Sequence, residues 1–284
     1  MNNLKKNRYK DQAFKALGML FTLFGILILA ILLYNIVRVG FTRINWDFIT
    51  SLPSRKPEQA GIYTAIIGTL DVMLLTIIFA IPVGVGAGIY LEEYSKKSRL
   101  SSLLEINISN LAGVPSIIYG LLGLGIFVRF FNFGGSILAG SLTLSLLILP
   151  IIIVATREAI KAVPSSLKEA SFALGASKWQ TIRSVVLPSS FGGIITGIIL
   201  SLSRAIGETA PLIVVGAMAY VPFVPHSLFD TFSVLPMQIF NWTTRPQQGF
   251  AVAAAGAIIV LLLITFIMNG IAVYLRNKWQ KKLQ

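Results

Sequence analysis

Apolar residues in this chain come in long, nearly unbroken blocks, and the polar residues gather in the gaps between them. A helix that crosses the hydrocarbon core of a bilayer needs about twenty such residues, so blocks of this size predict spanning helices rather than strands or surface helices. They fall at about 17–37, 63–91, 111–131, 136–155, 191–220 and 250–275, which predicts an all-α membrane protein of six transmembrane helices. A polar tail covers 1–16 and a basic tail 276–284. The first block follows Lys5, Lys6, Arg8, Lys10 and Lys15, as the apolar part of a signal peptide would. It is about twenty residues long with no small-x-small cleavage site after it, so it is expected to remain as the first span. Mixed segments at 38–61, with Trp46, Pro53 and Pro57, and at 221–248, with Trp242, are expected as external loops. The third block is broken near its start by Val114-Pro115-Ser116, and 100–110 suits either an interfacial helix or the start of that span.

One stretch departs from the pattern. Residues 162–188 are polar and rich in helix start and stop signals. Ser166 and Glu169 have the spacing of a capping box, Pro164 precedes them, and Gly175 suits the left-handed turn that ends a helix. Ser177 and Gln180 form a second box, and Leu187-Pro188 is expected to close the second helix. The stretch therefore predicts two short helices joined by a sharp turn.

Composition and charge place these elements. With 55% hydrophobic and 12% charged residues and a mean hydropathy of +0.78, the chain is polytopic rather than soluble. Its net charge of +13 would point to nucleic acid in a soluble protein, but here the positions of the charges account for it without a nucleic-acid partner. With both ends cytoplasmic, seventeen of the 24 Lys and Arg residues fall on the cytoplasmic side, including Arg157, Lys161, Lys168, Lys178 and Arg183 around the polar stretch. Six fall outside, and Arg204 is the one that remains. There is no cysteine, which excludes thiol chemistry and disulfides, and the single His226 beside Pro225 is expected at the surface. No G-x-x-x-x-G-K-[ST] loop occurs, so the chain has no P-loop for ATP, and energy must come from a partner or an ion gradient.

The fifth block carries the most chemistry. Gly193, Gly197, Ser201 and Ala205 recur every fourth residue, a stripe that lets another helix approach closely. Arg204 and Glu208 are spaced to share a helix face. An arginine near mid-membrane costs roughly 2.5–3.5 kcal/mol on insertion, so something must compensate it. Glu208 either neutralises it as a structural pair or holds it on a water-accessible pathway, where a guanidinium binds oxyanions bidentately. The two readings are compatible, and Ser201 is placed with this pair on the candidate pathway. Asp71, in the second span, has Thr69 and Thr76 nearby but no basic residue within a turn, and is read as structural.

The order Glu169-Ala170-Ser171, Gly175, Val185, Leu187-Pro188 resembles the Glu-Ala-Ala loop of the permease subunits of ABC importers, with Ser171 for Ala and Val185 for Ile. The resemblance implies a type I, MetI-like permease fold in which Glu169, Ala170, Ser171, Ala173, Gly175, Leu187 and Pro188 couple to a separate ATPase. Further stretches resemble the phosphate-specific permeases: 65–70 (AIIGTL), 89–94 (IYLEEY), 113–121 (GVPSIIYGL), 156–159 (TREA) and 204–212 (RAIGETAPL). The last of these, with 235–240 (LPMQIF), is similar to the PstA type, and the resemblance covers about 61–275. It implies a PstC-type permease partner, two copies of a PstB-type ATPase that uses ATP and Mg, and a PstS-type phosphate-binding protein. It also implies a bacterial cytoplasmic membrane with membrane lipid around the spans, and puts Arg204 and Glu208 on the translocation path. No cofactor or metal is expected on this chain. The alternatives are a permease for sulfate or molybdate and an ion-coupled secondary anion transporter, against which no internal repeat is visible. A membrane enzyme lacks paired catalytic groups.

Overall fold

The computed structural model describes residues 2–95 and 98–283, and every regular element among them is helical. Lys96 and Lys97, expected in the charged turn after the second span, lie outside the described residues. In chain order the elements are α1 (Asn2–Gly40), the short α2 (Trp46–Thr50), α3 (Tyr63–Ile89), α4 (Arg99–Leu111), α5 (Ser116–Gly123) and α6 (Ile137–Lys161). They continue as α7 (Ser165–Ala173), α8 (Lys178–Thr181), α9 (Leu187–Ile206), α10 (Ala210–Val215), α11 (Leu235–Thr243) and α12 (Gln248–Leu283). Five helical stretches are each long and apolar enough to cross a membrane, and α4 with α5 pass the same test only together, bent by 103°.

That bend decides the open question of 100–110. Ser98 caps α4 as a separate helix, and Pro115, which cannot donate a backbone hydrogen bond, stands at the start of α5. The Tyr119 hydroxyl reaches back to the Leu111 carbonyl at 2.8 Å and fixes the corner. The third crossing therefore starts at Ser116 rather than 111, and α4 turns away from it.

The core is a slab of three helices with α6 in the middle. On one side, Gly84 and Gly88 of α3 leave room for Ile152 and Thr156. On the other, Gly193 and Gly197 of α9 leave room for Ala159 and Ala155. Close approach through small residues is the main route to helix packing in lipid, where apolar burial drives little association. The expected stripe is thus realised, with Ser201 and Ala205 fully buried along it. The central part of α1 buries nothing inside the chain, and α12 is the helix it lies against.

The fifth block is not one helix from 191 to 220. It starts earlier, continuous with α8 at Lys178, and stops at Ile206. Gly207 ends it, Pro211 stands at the start of α10, and Gly216 ends α10 with φ of +110°, a conformation open to glycine. Nor is 221–248 a plain external loop. Residues 217–234 fold back onto the start of α6, where Ile137 and Leu138 donate backbone hydrogen bonds to Asp230 and Leu228. Phe232 is fully buried, and α11 carries Trp242 into the core against Phe48 and Phe250. The Asp230 carboxylate accepts from the amides of His226 and Ser227, which holds its pKa below the usual carboxylate range. His226 is exposed there.

Candidate functional site

The polar stretch folds as a projecting hairpin. Its first helix, α7, starts at Ser165 with Pro164 before it and no side-chain cap, so the expected box of Ser166 and Glu169 does not form. Pro164 already presets the backbone for the first turn. Gly175 makes the turn with φ of +83°. The second box forms as expected: Ser177 Oγ accepts from the Gln180 amide, and Gln180 Oε1 accepts from the Ser177 amide at 2.7 Å. Glu169, Ala170 and Ala173 are exposed, as are Leu167, Phe172, Leu174 and Trp179. Leu174 keeps 89% of its surface in the open. Large apolar groups exposed on a hairpin rimmed by charge suit contact with a protein partner or with the membrane surface.

Three residues expected on that surface lie elsewhere. Ser171 is half buried and shares a 2.9 Å hydrogen bond with the Thr181 hydroxyl, tying α7 to α8. Leu187 and Pro188 do not close the hairpin: they sit in the first turn of α9, in an apolar groove with Ile81, Val85 and Phe191. The helix passes through Pro188 because the preceding turn, Ile182–Val186, is the wider π type, which relieves the clash that a proline causes in a regular helix.

Gly175 has no atom within 4 Å of where a Cβ would stand, so a substitution there is opposed by backbone conformation alone. Gly175→Val is expected to cost about 1–2 kcal/mol at the turn and to reduce recovery of a docked partner severalfold. Co-purification with the expected ATPase partner checks this; unchanged recovery would mean that the partner does not read the shape of the turn.

From the hairpin a single helix, Lys178–Ile206, runs into the bundle for 29 residues, about 43 Å. Gly193 stands on Ala159 and Gly197 on Ala155, an antiparallel register that brings Arg204 level with Ile148, near the middle of α6. The helix therefore ends at mid-depth, and α10 completes the crossing to Gly216, which lies beside Gly135 just before α6. Arg204 is in the last turn of α9, where a cation complements the negative end of the helix dipole. Its Nε lies 3.3 Å from Glu208 Oε1, with 40% of the Arg204 side chain and 18% of Glu208 exposed. Glu208 reaches it from the turn beyond the helix rather than from the expected helix face. Leu200, Arg204 and Gly207 form an exposed line, whereas Ser201 is fully buried and donates to the Gly197 carbonyl at 2.8 Å. Ser201 thus belongs to the packing seam with α6 and not beside Arg204 on the open face.

Irregular backbone at membrane depth is tolerated only where protein covers it or where it lines water. Gly207 is exposed in this chain, so its break faces either a partner or an aqueous path. Asp71 is half buried on α3, with no hydrogen bond or ion pair among the described residues.

The stretches that carried the sequence resemblance pair off in space, which their separation along the chain concealed. Gly68 gives room to the Ser233 carbonyl, and Thr69 Oγ1 accepts from the Leu235 amide at 2.9 Å, joining AIIGTL to LPMQIF. Gly120 of GVPSIIYGL stands against Pro211 of RAIGETAPL. Glu92 of IYLEEY faces Arg157 of TREA at 3.6 Å, and Arg157 also pairs with Glu105 of α4 at 2.8 Å. Glu93 pairs with Lys168 of α7. Sequence reasoning also missed Ser203, which donates to Asn269 Oδ1 of α12 at 2.8 Å. A polar residue on each of two spans was the available signal.

A projecting hairpin on a membrane bundle, continuous with a helix broken at mid-depth, defines a permease subunit. The family described as "Binding-protein-dependent transport system inner membrane component" matches residues 80–281, and the chain belongs to it. It is a multi-pass inner-membrane protein. Within the family it is 34% identical to "Phosphate transport system permease protein PstA 1" of Mycobacterium tuberculosis (strain CDC 1551 / Oshkosh), over 86% of this chain and 81% of that one. It is 33% identical to "Phosphate transport system permease protein PstA" of Yersinia pestis, over 93% and 89% of the two chains. Its fold matches a chain of a bacterial alginate ABC transporter crystallised with an alginate-bound periplasmic protein, with a TM-score of 0.71 at 14% identity, over 97% and 98% of the chains. It also matches a chain of the MetNI methionine ABC transporter, with a TM-score of 0.62 at 17% identity, over 77% and 97%. The expected MetI-like permease fold and the resemblance to the PstA type are both borne out.

Proposed function

We propose that this chain is the PstA-type permease subunit of an ATP-driven importer of inorganic phosphate. The observation that carries it is the helix break at mid-depth, with Arg204 exposed at the end of α9 and held by Glu208. An arginine there is compensated only by its partner acid and by water or an anion, and a guanidinium grips an oxyanion such as phosphate in two places. The PstA relatives support phosphate over other oxyanions.

In this reading the hairpin and both chain ends face the cytoplasm, in agreement with the distribution of lysine and arginine. Loops on the other side meet a phosphate-loaded PstS-type binding protein, and a PstC-type permease covers the face that Gly207 leaves open. Two PstB-type ATPase subunits, which bind ATP and Mg, receive the hairpins of the two permeases. Closure of the ATPase pair pushes the hairpin. Because Lys178–Ile206 is one continuous helical stretch, the push is carried along it to Arg204. Glu208 holds the guanidinium at rest, and a phosphate competing for the same hydrogen bonds opens the pair. Chemistry on ATP stays with the partner; this chain binds and moves.

Substrate identity is tested in cells that lack other phosphate importers and carry this chain with its partner subunits. Uptake of labelled phosphate is expected to be unchanged by a tenfold excess of sulfate or molybdate. Suppression by either would keep the permease class and overturn the substrate.

A further inference from the structure

The hairpin must transmit force, yet α7 packs chiefly on α8 and the turn after it. Three ties hold it. The chain joins it to α6 through residues 162–164, Ser171 joins it to Thr181, and Lys168 joins it to Glu93 beyond the end of α3. The third has no counterpart in the expected coupling residues.

Glu92 and Glu93 follow the C-terminal end of α3, where the helix dipole disfavours carboxylates, so their presence needs compensation. Each finds a different cation. Glu92 turns to Arg157 of α6, which also holds Glu105 of α4, and Glu93 turns outward to Lys168. Arg157 keeps 12% of its side-chain surface, and its Nε is buried without a hydrogen-bond partner, so this arginine depends on the two carboxylates. The Arg157 group borders an open cavity of about 910 Å³ lined also by Arg99, Ser102 and Lys161. Glu93 and Lys168 stand apart from that cavity, and their side chains keep 10% and 23% of their surface. An ion pair so enclosed is screened far less than one on the open surface.

We infer that Lys168 and Glu93 form a strut, with Arg157 anchoring its base, that makes the hairpin ends of α3, α6 and α9 one rigid body during transport. This rests on the importer reading and names the positioning residues it requires. Without the strut a push on α7 would flex the hairpin about Gly175 and its chain link to α6 instead of rocking the slab. The slab is packed tightly enough to move as a unit, because α6 is pinned on both sides by glycine contacts. Lys168 and Glu93 touch neither substrate nor nucleotide in this account; they fix where the stroke is delivered.

The test is a charge-reversal cycle in the complete reconstituted complex, read as anion moved per ATP hydrolysed. Lys168→Glu and Glu93→Lys are each expected to lower that ratio about tenfold while hydrolysis continues, and the double reversal to restore it to within about twofold. A residue that mattered only for folding would lower complex yield and leave the ratio of the surviving complex alone. If Lys168→Glu loses the ATPase from the complex, Lys168→Gln decides by the same ratio. A ratio unchanged in the single variants, or a double variant no better than the singles, overturns the strut. The ratio is taken on whichever oxyanion the unaltered complex carries. A wild type that ignored phosphate would therefore overturn the substrate and leave the test of the strut standing.

Discussion

Arg204→Gln abolishes phosphate uptake, lowering the rate about a hundredfold or more, while the chain still assembles with its partners. The side chain is 40% exposed and packs against little, so its removal leaves no large cavity. What is lost is a fixed positive charge at mid-depth, and glutamine offers neither the charge nor the two-pronged donor. Arg204→Lys keeps the charge without the fork and is expected to retain a small fraction of the activity. The competing account, in which the arginine only neutralises Glu208, is separated by Arg204→Gln with Glu208→Gln. If the pair were purely structural, neutralising both partners would restore uptake. On the pathway account the double variant stays inactive, and recovery would contradict it.

Gly197→Ala is expected to destabilise the folded chain by about 1–3 kcal/mol, the usual cost of overpacking a tight contact. Its new methyl group would overlap Ala155 Cβ on the neighbouring helix, and both backbones are held by further contacts along the seam. In detergent this corresponds to a fall of roughly 2–12 °C in unfolding midpoint. Ala155→Gly in the same chain removes the opposing methyl and is expected to recover at least half of the loss. Because the two sites touch, their effects should not add. A midpoint unchanged by Gly197→Ala would mean that the α6–α9 seam yields easily, and the account of a rigid slab would fail with it.

The spans were legible because a bilayer imposes a coarse rule on sequence, about twenty apolar residues per crossing, and five helical stretches obey it individually. The hairpin was legible for a different reason: Gly175 and the Ser177–Gln180 box are local signals that act within one turn. Two errors came from the same source. Hydropathy does not distinguish a helix that continues from one that breaks and resumes, so α9 and α10 merged into one span, and α11 with its buried Trp242 passed for part of a loop. Pro188 misled in the opposite direction, since a wider turn upstream let the helix run through it. Ser201 shared a spacing with Arg204 but not a surface; the i, i+3 relation leaves room for one residue in the seam and the other outside it. The ion pairs of Glu92, Glu93, Glu105, Arg157 and Lys168 were out of reach, because each joins elements whose separation depends on the finished packing.

The account's central claim is that this chain passes phosphate inward at the expense of ATP hydrolysed by a partner. The direct measurement uses liposomes holding this chain with its partner permease and ATPase, with phosphate-loaded binding protein outside and ATP with Mg inside. The account predicts accumulation of labelled phosphate that requires ATP and vanishes in Arg204→Gln. Accumulation that proceeds without ATP, driven by an imposed ion gradient, would contradict it and place the chain among secondary carriers.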